Sequence, residues 1–184
     1  MSDPNDLAAF LTEGWQHISR GVADRHAPAR HPTFATVSPQ GKPEARTVVL
    51  RKAQRSEDVL EVQTDTRTPK IAALRANPFA TLHVWVPRSD LQLRLNGAVE
   101  ILTGEAVAED WKKVPEASRV SYGTMPAPGT PIASVYAYEK PPNADRFAVL
   151  RVHLTDIDLV HLGAQHRRAF FARDDGWQGT WVAP

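Results

Sequence analysis

The sequence predicts a mainly β domain of the α+β class, an antiparallel barrel with helices on its outside. Three observations carry this. From residue 33 apolar residues recur with period two. At least six strand-like segments follow, punctuated by turn residues. These segments do not alternate regularly with helices, as βαβ units would require. With 184 residues the chain has room for one domain with a real core, and two would be crowded. The whole chain, 1–184, is therefore expected to form a single domain, with a helix at about 5–23 and a barrel over about 32–184.

Each element has a local reason. Asp6 can cap a helix in which Leu7, Phe10, Leu11, Ile18 and Val22 recur at helical spacing, with Trp15 near the same stripe. "RHAPARHP" is a proline-broken linker. "TFATVS", the turn "PQGK" and "EARTVVLR" read as a hairpin, and "DVLEVQT" as the next strand. "TPKIAALRANP" reads as a short helix with Thr68 as cap, Pro69 as first residue and Pro78 as terminator. "FATLHVWV" and "LQLRLNGAVEIL" are longer strands. Residues 105–120 are expected to contain helix, and 123–131, rich in proline and glycine, no regular structure. "FAVLRVHLTDIDLVHL" is a long strand or a bent pair. "RRAFFARDDGWQGTWVAP" closes as a hairpin turning at Asp174, Asp175 and Gly176.

Composition excludes several functions. A formal net charge of +1 argues against nucleic acid as the main partner. Trp85 in "HVWVPR" is the one tempting stacking residue. The absence of cysteine removes thiol nucleophiles, disulfides and thiolate metal sites, and fits a cytoplasmic protein. The acidic N-terminus has no signal-peptide character, and no stretch approaches the ~20 apolar residues of a membrane span. The seven histidines show no metal spacing, so no metal site is expected. His83 and His153 fall in strands as ordinary surface or hydrogen-bonded residues. Asp156 and Asp158 alternate on a strand, which reads as a solvated face more readily than as a catalytic carboxylate pair.

Cations stand where anions bind. Arg46 and Arg51 bracket an apolar run. Lys70 lies in the first turn of a helix, where it opposes the dipole unless an anion is present. Thr64, Thr66 and Thr68 add hydroxyls there, and "HRR" at 166–168 adds two guanidiniums suited to phosphate. Each alone reads more readily as a surface charge or an ordinary ion pair, and the set together is more suggestive. Arg46 and Arg51 are five residues apart, which on a regular strand puts them on opposite faces.

In their order and spacing, "RTVVLR", "VQTDTRTPKIAALRANPFATLHVWV" and "LQLRLNGAVEIL" resemble the pyridoxamine 5'-phosphate oxidase family of FMN-binding split barrels. "HRRAFFARDDGWQGTWVAP" resembles that family's C-terminal segment, while 104–150 is weak. The resemblance implies a six-stranded split barrel that forms a homodimer, with FMN in a groove between subunits. It assigns Arg46 to the cofactor phosphate together with Thr64, Thr68 and Lys70. It has Thr47, Val48 and Val49 present backbone to the flavin, and places Arg51 near the ring and substrate. Gln92 matches a ring-binding glutamine, and Arg168 an arginine of the C-terminal motif.

Departures from the family pattern bear on activity. Pro69 replaces an arginine, for which nearby Arg67 is a candidate substitute. Gln63 stands where an aromatic is common, and Ala164 replaces the first arginine of the C-terminal motif while His166 is kept. Met125 falls near the arginine of the family's substrate-phosphate clamp, with Tyr122 and Thr130 as loose stand-ins. The expectation is an FMN-dependent oxidoreductase of unknown small-molecule substrate, with Arg51, Tyr122 and His166 contacting that substrate and no catalytic acid or base assigned. The alternatives are a non-catalytic flavin or tetrapyrrole-binding protein on the same barrel, and a true pyridoxamine/pyridoxine 5'-phosphate oxidase.

Overall fold

A computed structural model describes residues 3–184. Helix α1 spans Leu7–Ala23. It starts where the sequence places the cap: the Ala9 N–H donates to the Asp6 carboxylate at 2.8 Å. It buries Phe10, Leu11, Trp15 and Ile18, the stripe set by its apolar spacing. A single turn at Pro28–Arg30 leads into the sheet.

The strands are β1 (Thr33–Val37), β2 (Pro43–Thr47), β3 (Leu50–Gln54), β4 (Val59–Asp65), β5 (Phe79–Val86), β6 (Leu91–Thr103), β7 (Phe147–His161), β8 (Arg167–Ala172) and β9 (Thr180–Val182). All pairings are antiparallel, in the order β2-β1-β5-β6-β7-β4-β3. The two outer members of that path are halves of one segment. Residues 43–47 pair with β1, residues 50–54 pair with β4, and Val48 and Val49 leave the sheet between them. Counting 43–54 as one crossing segment gives a six-stranded ring, closed through the chain itself and split at those two valines. This corrects the expectation of a continuous strand through "EARTVVLR". The Val48 N–H turns instead to the carbonyl of Pro32 at 3.1 Å.

Inside the ring lie Phe34, Leu50, Leu60, Leu82, Leu93, Leu95, Leu150 and Leu159, all essentially inaccessible. Strand β7 is one long strand. Its partner β6 shifts register between Asn96 and Gly97, where a Cβ on residue 97 would lie 2.4 Å from the His153 carbonyl oxygen; only glycine fits that approach. Beyond β7 the C-terminal hairpin β8–β9 extends the sheet and clasps α1. Trp181 stacks on Phe10 at 5.4 Å, and the Arg167 guanidinium lies 4.9 Å from the same ring.

Helix α2 is Pro69–Ala76. The 105–120 stretch forms only short helices, α3 (Ala108–Lys113) and α4 (Glu116–Arg119). These cover a second small core of Val107, Val114, Tyr122, Phe147 and Val149. Residues 123–143 then run as irregular surface chain, held by one bridge between Met125 and Glu139. One sheet face remains open. Phe79, Trp85, Phe170 and Val182 are 38–55% exposed on it.

Candidate functional site

The end of β4 and the start of α2 bring Thr64, Thr68 and Lys70 together. Lys70 Nζ donates to Thr64 Oγ1 at 3.0 Å. The hydroxyls of Thr64 and Thr68 are 3.1 Å apart, and Thr68 donates to the Asp65 carbonyl at 2.9 Å. Thr68 therefore occupies the cap position without capping through its side chain. Burial and the neighbouring Arg46 charge push the Lys70 pKa down, against the opposing pull of Asp65. Among the described residues Lys70 belongs to no ion pair, so a half-buried ammonium faces a second cation with only hydroxyl partners.

Arg46 is held rigidly beside it. Its guanidinium donates to Thr36 Oγ1 at 2.7 Å, to the Phe34 carbonyl at 3.2 Å and to the Glu44 carboxylate at 2.8 Å. Glu44 offsets part of its charge. These contacts give Arg46 a structural task on β1 as well as a place near Lys70.

Arg51 lies elsewhere. The break at Val48 and Val49 separates it from Arg46, and it is the unpaired residue of a β-bulge between Leu50 and Lys52. The five-residue spacing that conflicts with a regular strand thus needs no shared face. Arg51 Nε is buried without a hydrogen-bond partner, a costly condition unless something accepts from it. It borders a cavity of about 270 Å³ shared with Glu61, Gln63 and Lys113. Burial pushes the Tyr122 pKa up, while the positive charge of Arg51 opposes it. The Tyr122 hydroxyl donates to Gln63 at 3.2 Å, so the polar residue standing in the family's aromatic position is the partner of this tyrosine.

Arg67, the candidate substitute for an arginine at Pro69, is engaged by protein groups. It forms a two-pronged pair with buried Asp65, at 3.0 and 2.7 Å, and donates to the Thr124 carbonyl at 2.9 Å. Asp65 also accepts the backbone N–H groups of Arg67, at 2.8 Å, and Gly123, at 2.9 Å. Gly123 has φ +129°, and a Cβ there would lie 2.1 Å from the Pro141 carbonyl oxygen. Asp65 thus fastens the irregular 123–143 chain to the barrel, a role that sequence reasoning missed. Burial alone would raise its pKa, but the Arg67 and Gly123 hydrogen bonds outweigh that and hold it below the ordinary value. Its contribution is complete above the usual carboxylate range and is lost as pH falls through the lowered folded value. Asp65→Asn is expected to speed amide exchange at Gly123 by about tenfold, with protection in β6 unchanged; equal loosening of both would contradict a local fastening role.

Gln92 and Arg168 form a third group. Gln92, Val160 and Arg168 sit opposite one another across β6, β7 and β8, on the open sheet face. Arg168 donates to Asp158 at 3.1 and 2.8 Å, and Arg94 pairs with the same carboxylate. Asp158 is therefore buried and ion-paired, which corrects the expectation of a solvated face. Asp156 accepts from Asn96. His166 lies on the exposed loop before β8 and borders a cleft with Arg167, Arg168 and Trp181. Thr47 ends β2, exposed, and the engaged Val48 amide is not free to face a ligand. One chain thus assembles Arg46, Thr64, Thr68 and Lys70 in one place and Arg51 with Tyr122 in another. Gln92, Arg168 and His166 stand apart.

No helix among the described residues is long and apolar enough to cross a membrane, and no cluster of His, Asp and Glu there could hold a metal ion.

Comparison with known proteins gives the chain its family. The chain is 26% identical to a pyridoxine/pyridoxamine 5'-phosphate oxidase 2 from Arabidopsis thaliana, over 92% of this chain and 96% of that protein. It is 36% identical to a pyridoxine/pyridoxamine 5'-phosphate oxidase of Microcystis aeruginosa over 49% of this chain and 41% of that protein. Its structure superposes on a pyridoxamine 5'-phosphate oxidase-related, FMN binding protein from Nostoc punctiforme with TM-score 0.74 and 25% identity, all of both chains being covered. PhzG from Burkholderia lata shares the fold at TM-score 0.71 and 17% identity, over 99% and 95% of the two chains. The family model for the pyridoxamine 5'-phosphate oxidase FMN-binding domain matches residues 12–103; that span runs from α1 through Arg46, Lys70 and Gln92, and the chain belongs to this family.

Proposed function

We propose that this chain binds FMN and acts as an FMN-dependent oxidoreductase on a small molecule, as a homodimer whose sites draw on both copies. The observation that supports this best is Lys70: a half-buried ammonium beside Arg46, at a helix start, with only hydroxyl partners. A phosphate would satisfy such a group and offset the charge of both cations. Arg46, Thr64, Thr68 and Lys70 would hold the phosphate. The unpartnered Nε of Arg51 suits an acceptor on the flavin ring or on the substrate. When bound, FMN supplies the redox chemistry, while the chain's residues bind, orient and set the local charge. Tyr122 gives its one hydroxyl proton to Gln63, so toward the substrate side its oxygen would accept a hydrogen bond rather than donate one.

Gln92, Arg168 and His166 would reach the site only from the second copy. Their sheet face carries the exposed Phe79, Trp85, Phe170 and Val182, and pairing that face would remove this apolar area from water.

Purified protein should be yellow with a flavin absorption spectrum, or take up added FMN stoichiometrically, and should sediment as a dimer. A colourless monomer that ignores FMN would sink the proposal. Reduction of the bound flavin by NADH or NADPH, followed by re-oxidation, tests turnover. A flavin that no nicotinamide or candidate amine reduces would make the protein a carrier.

A further inference from the structure

A cleft of about 420 Å³ lies between the end of α1 and the β5–β6 hairpin, within the range of small-molecule sites. Its hairpin wall is at the opposite end of β5 from α2, about 23 Å along an eight-residue strand. Its residues are disjoint from those proposed to hold FMN.

The floor is apolar: Ala27, Ala29 and Val86 are each at most 5% exposed yet face the cleft. The rim carries two guanidiniums, Arg20 and Arg88, and a single carboxylate, Asp24, with the imidazoles of His17 and His26 beside them. That carboxylate is already engaged, accepting from the His26 N–H at 2.8 Å and from Arg20 Nε at 3.3 Å. It neutralises Arg20 at most. Arg88 has no side-chain hydrogen bond or ion pair among the described residues, so its positive charge remains in excess over an apolar floor.

The walls are preformed. Gly21 packs so closely on Ala29 that a Cβ would lie 2.6 Å from the Ala29 carbonyl carbon. Arg30 staples the region, donating to the carbonyls of Val22 at 3.2 Å and Leu50 at 3.0 Å. A rigid cleft loses little freedom on binding.

We infer that this cleft is a second ligand site, for a small organic anion with an apolar body and one carboxylate or phosphate head. The body covers Ala27, Ala29 and Val86, and the head meets Arg88 at the rim. An ordinary solvated arginine on a turn would show no such preference.

Salicylate titrated into the ¹⁵N-labelled full chain, with and without FMN, tests this. The amides of Arg20, Ala27, Ala29 and Arg88 should shift saturably in both conditions. Salicylamide, the same ring without the charge, should bind about tenfold more weakly. Arg88→Gln should weaken salicylate by about tenfold and leave FMN affinity unchanged. Phenyl phosphate identifies the head group: tighter binding than salicylate assigns a phosphate, weaker binding a carboxylate. Absent shifts in the cleft, equal binding of salicylamide, or indifference to Arg88→Gln would each overturn the inference. The shifts without FMN, the salicylamide comparison and the loss of salicylate affinity in Arg88→Gln stand whether or not FMN binds.

Discussion

Replacing Lys70 with methionine weakens FMN binding by at least about 2 kcal/mol, roughly thirtyfold in Kd, and at the same time stabilises the FMN-free protein. The two effects share one cause. In the free protein the ammonium is half-buried beside Arg46, and burial first and Arg46 second lower its pKa. A lysine whose folded pKa lies below its unfolded value costs stability while charged, and the cost eases as pH rises through the folded value. Methionine fills similar volume, has comparable helix propensity and carries no charge. A gain of about 1 kcal/mol, roughly 2–4 °C in Tm for a chain of this size, is expected without FMN. Arg46→Ala also weakens FMN, but it destabilises the free protein, because buried Thr36 and the Phe34 carbonyl lose a donor. Calorimetric titration and melting with and without FMN separate these cases. A Lys70→Met protein that keeps its FMN affinity, or melts lower when FMN-free, would remove Lys70 from the phosphate site.

Most of the fold was legible because its elements carry local signals. Asp6 capped the helix it precedes, Pro69 and Pro78 bracketed α2, and period-two runs marked β4, β5 and β6. The break at Val48 and Val49 was harder to see. A run of three apolar residues reads as a buried strand, yet it does not alternate. That lack of alternation was the available sign that the segment changes partners rather than continuing. Which two edges it would join is a matter of topology, and no local pattern encodes it.

The site was legible in residue type and less so in grouping. Lys70 could be singled out because a cation in a first helical turn is unfavourable without an anion. The partner of Arg67 was not legible because spacing cannot show which acceptor a guanidinium will find; it found Asp65, two residues away. The "TDTR" run held a usable sign, since an aspartate accepting from the N–H two residues on is a common turn device. Gln63, a polar residue beside buried Val62 on β4, was a weaker sign of a buried partner. The separation of Gln92 and Arg168 from Lys70 needs three-dimensional information, because sequence order places them in series on one chain whether or not one chain completes the site.

The Arg94–Asp158–Arg168 group is expected to behave as one unit. Asp158 is 1% exposed, whereas both guanidiniums reach solvent. Either arginine alone can partner the carboxylate, so Arg94→Gln and Arg168→Gln should each cost a small fraction of what the pair costs. Removing both strands a buried carboxylate and should cost about 3 kcal/mol or more, well beyond additivity. The pH dependence provides the stronger check. Burial alone would raise the Asp158 pKa, but hydrogen bonds from Arg168 and Arg94 outweigh it and hold the group below its ordinary value. In the native protein its contribution is complete above the usual carboxylate range and is lost as pH falls through the folded value. In the double variant burial acts unopposed and the folded pKa rises. The penalty is then greatest near neutrality and shrinks as acid protonates the carboxylate. Urea unfolding at neutral and mildly acidic pH should show the stability gap between the two proteins narrowing toward acid. A constant gap would mean that Asp158 is solvated, and that the two arginines reach the open sheet face independently of it.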